Sequence, residues 1–83
     1  MRVIISPPAQ RDIRRLAPEL GARVIAALRE LRNNPRPAGC RPLRDYKPPT
    51  WRVRVGDWRI LYEVDDDASV VTVTGVRHRS RAY

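Results

Sequence analysis

The sequence predicts one α+β domain: an N-terminal strand, a helical hairpin, then an antiparallel meander of about three strands. The helices cover one sheet face, and arginines occupy the opposite face. Three observations predict it. Apolar residues recur at helical spacing up to residue 33, they alternate at period two from residue 51, and a proline-rich stretch separates the two regimes. The 83 residues make a single domain spanning 1–83. A chain of that size buries only roughly 60% of the surface it exposes unfolded, so its core is thin.

Residues 2 to 6 form a short β-branched run and read as the first strand. Ser6-Pro7-Pro8 fits a helix start, with Ser6 as the cap and Pro7 at the first helical position. Between Gln10 and Ala17, Ile13 and Leu16 share one face, while Arg11, Arg14 and Arg15 lie off it. Pro18 breaks this helix and opens the next, whose apolar stripe is Leu20, Val24, Leu28 and Leu31. Glu19 near its start and Arg29 and Arg32 near its end complement the helix dipole. Asn33-Asn34-Pro35 stops it.

Residues 35 to 49 hold five of the eight prolines, so a structured loop is expected there, with a short edge strand at Leu43-Arg44. Trp51, Val53 and Val55 then alternate with Arg52 and Arg54. Gly56-Asp57 is a two-residue turn, after which Trp58, Ile60, Tyr62 and Val64 alternate with Arg59, Leu61 and Glu63. Residues 65 to 69 form a second turn, and Val70 to Val76 the last strand, ahead of a tail from Arg77 to Tyr83.

The turn fixes the register. Val55 faces Trp58, Arg54 faces Arg59, Val53 faces Ile60, and Trp51 faces Tyr62. The apolar side of this hairpin packs on the helices. Its other side carries Arg52, Arg54 and Arg59, two of them directly opposed, and like charges at a cross-strand pair cost up to ~1 kcal/mol. A single arginine there would be an ordinary solvated charge. Three on one face, joined by Arg77 and Arg79 from the last strand, fit an anion site, because guanidinium forks match phosphate oxygens bidentately.

Charge agrees with that reading. Lys plus Arg is 17 against 9 for Asp plus Glu, a net charge of +8, and 16 of the 17 cations are Arg. Such a balance favours an anionic partner, either nucleic acid or an acidic protein. One cysteine, Cys40, excludes an internal disulfide, and with one histidine it builds no zinc site. Asp65-Asp66-Asp67 reads as a solvated turn rather than a metal site, so no metal and no cofactor are expected. No apolar run reaches membrane-spanning length and the N-terminal run is too short for a signal peptide, so a cytoplasmic, membrane-free protein is expected.

The segment Trp51 to Asp65 (WRVRVGDWRILYEVD) and the ending Val76 to Tyr83 (VRHRSRAY) resemble the RelE toxins of the RelE/ParE superfamily of bacterial toxin–antitoxin systems. The likeness runs along the whole chain, and GDWRILY, residues 56 to 62, is its most specific part. The resemblance implies the RelE/ParE-like α+β fold and a ribosome-dependent mRNA endoribonuclease, an mRNA interferase that inhibits translation. It implies as partners a cognate antitoxin, acidic by complement to this basic chain, and the ribosome with its mRNA. Operator DNA would be met only through the antitoxin complex. The family's basic sheet residues fall on Arg52, Arg54 and Arg59, its strand-end arginine on Arg77, and its C-terminal tyrosine on Tyr83. Arg44 matches another basic position of the cleft, and Arg79 and Arg81 add RNA-binding charge. Active RelE enzymes typically carry Lys where this chain has Arg52 and Arg54.

That departure bears on mechanism. Metal-free RNA cleavage needs a base for the 2′-hydroxyl, a stabiliser for phosphorane charge, and help for the leaving oxygen. Arg54, Arg59 and Arg77 suit the second task, and Tyr83 suits stacking on a base. Arginine, with a pKa above ~12, does not serve as the base. His78 is the one side chain of ordinary pKa near neutrality, and its alternative is an exposed residue of a basic tail. Two rival readings stay open: a gyrase-directed toxin of the ParE branch, and a non-catalytic or degenerate nucleic-acid-binding module.

Overall fold

The chain is described by a computed structural model over residues 1–81. Its elements are β1 (Arg2–Ile5), α1 (Pro7–Arg14), α2 (Pro18–Asn33), β2 (Arg41–Pro42), β3 (Trp51–Val55), β4 (Trp58–Asp65) and β5 (Val70–His78), followed by a short 3₁₀ turn, Arg79–Arg81. The Ser6 side chain caps α1 by accepting from the Ala9 amide at 3.4 Å, and a proline opens each helix where no amide donor is required. α1 ends at Arg14, before the expected Ala17. The Arg15 amide closes onto the Asp12 and Ile13 carbonyls, and the residue ahead of Pro18 is sterically barred from the helical region. Leu16 therefore reaches the core from the inter-helix turn. At the far end of α2, the Met1 ammonium donates to the Arg32 carbonyl at 3.0 Å and sits at the negative pole of the helix.

The five strands form one mixed sheet in the order β1-β5-β4-β3-β2. The meander β3–β4–β5 is antiparallel as expected, and β1 adds in parallel along β5 through Arg2↔Val70 to Ile5↔Val73. β2 pairs Arg41 with Arg52 and Pro42 with Trp51, two residues ahead of the edge strand expected at Leu43-Arg44. The ladder carries on to Leu43, whose amide donates to the Thr50 carbonyl at 2.8 Å in the same register, and the chain then turns at Arg44 and Asp45, the latter with a φ of 62°. β5 runs to His78 and carries a bulge: Leu61 pairs with Gly75 but Tyr62 pairs with Val73, leaving Thr74 as the extra residue.

Both helices lie on one sheet face. Ala9, Val24, Leu28 and Leu31 close over Val55, Ile60, Tyr62, Val71, Val73 and Val76, which are the inward residues of β3, β4 and β5. Tyr62 sits at the centre, with no exposed surface, and its hydroxyl donates to the Pro35 carbonyl at 2.7 Å. Burial pushes the phenol well above its ordinary pKa, so it stays a donor and ties the proline-rich loop to the sheet. Arg36 completes that tie with a bidentate pair to Asp66 and a guanidinium 5.1 Å from the centre of the Trp51 ring.

A candidate nucleic-acid interface

The outward face of the sheet is built by register alone. Arg54 pairs with Arg59 and Arg59 pairs with Arg77, so three arginines form one row across β3, β4 and β5. The next row runs Arg41, Arg52, Leu61, Gly75. Beyond it come Glu63, Thr72 and Ile4, then Asp65, Val70 and Arg2. The cations concentrate at the Gly56-Asp57 end of this face, while Glu63 and Asp65, with Arg2, lie toward the other. Gly56 takes the positive φ, 60°, that a two-residue hairpin turn needs at its first central position. Leu61 lies on this charged face yet is only 7% exposed, so the arginine stems around it act as a lid over apolar surface.

Arg41, Arg52 and Arg54 line one cleft of about 300 Å³ together with Ala38 and Gly39. Arg52 donates through Nη1 to the Gly39 carbonyl at 3.5 Å, which holds the loop against the sheet. Arg77 behaves differently. Its Nη1 makes a close ion pair with the Asp12 carboxylate of α1 and reaches the Val76 carbonyl at 3.4 Å. Asp12 also accepts the Val76 amide at 3.0 Å. β1 pairs with β5 only as far as Val73, so the edge beyond it is open to α1.

His78 lies on the other side of the sheet. It pairs with Trp58, meets that ring edge-on with centroids 5.4 Å apart and planes at 83°, and lines a cleft of about 640 Å³ with Asp12, Arg15, Leu16, Val76, Arg77 and Ser80, so Arg77, drawn to Asp12, meets the same cleft. The ring Nδ1 lies 3.0 Å from the Ser80 hydroxyl and 3.3 Å from the Ser80 amide nitrogen. Arg79 is exposed and pairs with Asp57 at 3.9 Å, while its amide donates to the Asp57 carbonyl at 2.8 Å. Arg44 is exposed in the turn after β2, outside the strand ladder. The Arg81 backbone closes the 3₁₀ turn, and Tyr83 lies outside the described residues.

The sequence profile described as ParE toxin of type II toxin–antitoxin system, parDE, matches residues 3–83. The chain belongs to this toxin family. Toxin RelG of Mycobacterium tuberculosis is 36% identical over 76 residues, which is 90% of this chain and 86% of that protein. Toxin RelE of the same organism is 33% identical over 82 residues, 98% of this chain and 84% of that one. In the crystal structure of the toxin–antitoxin complex RelBE2 from Mycobacterium tuberculosis, a chain 31% identical superimposes with a TM-score of 0.80. The match covers 94% of this chain and 96% of that one. The protein is thus a toxin of the RelE/ParE superfamily, with that superfamily's α+β fold.

Three residues of this toxin face escaped the sequence reading. Arg41 reaches the sheet because the edge strand starts two residues early. Asp12, the lone acid of an otherwise basic α1, anchors Arg77. Gly75 lies beneath the Arg77 guanidinium. Only Asp12 left a signal, as a single carboxylate among Arg11, Arg14 and Arg15. Among the described residues no helix is long and apolar enough to cross a membrane, and no group of three His, Cys, Asp or Glu is placed to hold a metal.

Proposed function

We propose that this toxin is an mRNA interferase, a metal-independent endoribonuclease that cuts mRNA presented by the ribosome. The observation that carries the reading is the row Arg54–Arg59–Arg77 with Arg52 and Arg41 behind it. A stable sheet gains nothing from opposing Arg54 to Arg59, whereas a phosphorane with charge spread over its oxygens is stabilised by them. In the reaction the ribose 2′-hydroxyl gives its proton to water or to a ribosomal group as its oxygen attacks the adjacent phosphorus, the P–O5′ bond breaks, and the departing 5′-oxygen takes a proton from water or from the ribosome. The arginine row binds the phosphate and stabilises its extra negative charge. Names of the relatives, RelG and RelE, support the same reading.

His78 starts from the helix-facing side of the sheet and shares a cleft with Arg77. On the reading that the arginines carry catalysis by charge, His78→Gln is expected to cut programmed ribosomes within a few-fold of the parent. A loss of about 10²–10⁴-fold, the usual worth of a general base, would restore His78 to the mechanism. Catalysis then rests on charge stabilisation and on nucleotides held in line, with the ribosome completing the site.

The basic surface also fits a cognate acidic antitoxin, as the RelBE2 toxin was solved with its own antitoxin. Association is expected to slow as salt rises through the range where the Debye length falls from about 10 Å to 3 Å. A tight complex formed at a salt-independent rate would mean an apolar interface, with the +8 charge serving RNA alone.

The matching profile carries the ParE description, which favours one competing reading, a toxin directed at gyrase. Primer extension on translated messages after induction separates the two. Discrete, codon-phased cuts support the interferase. DNA damage without cuts supports the ParE-type activity.

A further inference from the structure

The guanidinium of Arg77 is held from two sides. A methyl built on Gly75 would stand 3.1 Å from its Nη1, 3.2 Å from its Cζ and 3.4 Å from its Nη2, and no other residue supplies one of these three closest atoms. The side chain therefore folds back along β5 from the Arg54–Arg59 row and lies flat on bare backbone. Its far end is caught across the open edge of β5 by Asp12, whose side chain is 19% exposed and whose second tie to the Val76 amide fixes the carboxylate. All hydrogen bonds of the guanidinium among the described residues run through Nη1. Nη2 and Nε are left to meet a ligand.

We infer that Asp12 and Gly75 are positioning residues for phosphate recognition, setting Arg77 so that its Nη2–Nε edge meets the scissile phosphate. Gly75 supplies the seat and Asp12 the tether. A guanidinium held this way has lost its rotamer freedom before RNA arrives, so the cost of ordering it is already met in the free protein. The catalytic consequence rests on the interferase reading; the preorganisation of Arg77 does not.

Gly75→Ala isolates the effect. Gly75 does not take a positive φ, and the atoms its methyl would displace belong to the end of a flexible side chain, so the fold is expected to persist with an unchanged melting temperature. The methyl makes the guanidinium give by a few tenths of an ångström; since a misplacement of about 1 Å costs on the order of 10²-fold, single-turnover cleavage by Gly75→Ala is expected to fall about tenfold with ribosome affinity unchanged. Asp12→Ala is expected to behave alike. Asp12→Asn, which keeps an oxygen for Nη1 and for the Val76 amide, restores most of the rate.

In an Arg77→Gln background, Gly75→Ala and Asp12→Ala should produce no further loss, because both act through the group already removed. Cleavage by Gly75→Ala within about threefold of the parent, or an equal loss in the Arg77→Gln background, would overturn the proposal. If the parent itself leaves programmed ribosomes uncut, the interferase reading fails and the Arg77 Nε–Hε resonance of the free protein decides. A dispersed signal in the parent that collapses to the exposed-arginine position in Gly75→Ala supports positioning. An exposed-arginine signal in both overturns it.

Discussion

Arg54→Ala is expected to lower single-turnover cleavage about 10²–10³-fold, the usual worth of one preorganised charge donor, while the protein melts at or slightly above the parent temperature. The two halves of that result come from one geometry. Arg54 stands directly across from Arg59 and is exposed, so its removal uncovers no core and relieves a like-charge pair of up to ~1 kcal/mol. Arg59 gives the same functional loss but a less clean stability readout. It is half-buried beside Leu61, and truncating its stem removes packing along with charge. Arg59→Gln, which keeps most of the stem, is the better comparison. An Arg54→Ala protein that melts well below the parent would mean that the row holds the sheet together rather than a phosphate.

Tyr62→Ala is expected to remove about 3–5 kcal/mol, the range for losing a buried aromatic from a packed core. At ~0.05–0.15 kcal/mol per residue a chain this short holds only about 4–12 kcal/mol in all, so the variant is marginal or unfolded at 25 °C. Tyr62 concentrates the effect because it touches both layers and anchors the proline-rich loop through the Pro35 carbonyl. Tyr62→Phe separates the two contributions. It keeps the ring, leaves the carbonyl without its donor, and should cost about 1–2 kcal/mol. Urea unfolding measures both. A Tyr62→Ala loss below about 2 kcal/mol would place the centre of the core elsewhere.

Much of this fold was legible because each element signals locally. Ser6-Pro7 and Pro18 mark helix starts, and Gly56-Asp57 fixes the hairpin register to the residue, so the opposition of Arg54 and Arg59 follows from the sequence alone. What stayed hidden depends on long-range partners. The parallel placement of β1 on β5 has no local mark, and neither does the register that starts β2 at Arg41 opposite Arg52 and ends its ladder with the Leu43 amide on the Thr50 carbonyl. The Asp12–Arg77 pair joins residues 65 apart in the chain, and its formation depends on where β1 stops covering β5. Alternation along β5 places His78 with Val76 on the helix-facing side, but it does not reveal that Arg77 is drawn to Asp12 and lines the same cleft.

The chemistry of the cut ends is the most direct test of the claim that an arginine row drives attack by the 2′-hydroxyl. Purified toxin is added to ribosomes carrying a defined mRNA, and the fragment termini are read by their susceptibility to kinase and phosphatase. The account predicts a cyclic 2′,3′-phosphate, or the 3′-phosphate formed from it, on the upstream fragment and a 5′-hydroxyl on the downstream fragment. It also predicts loss of both products in Arg54→Ala. A 3′-hydroxyl paired with a 5′-phosphate, or undiminished cutting by Arg54→Ala, would contradict it.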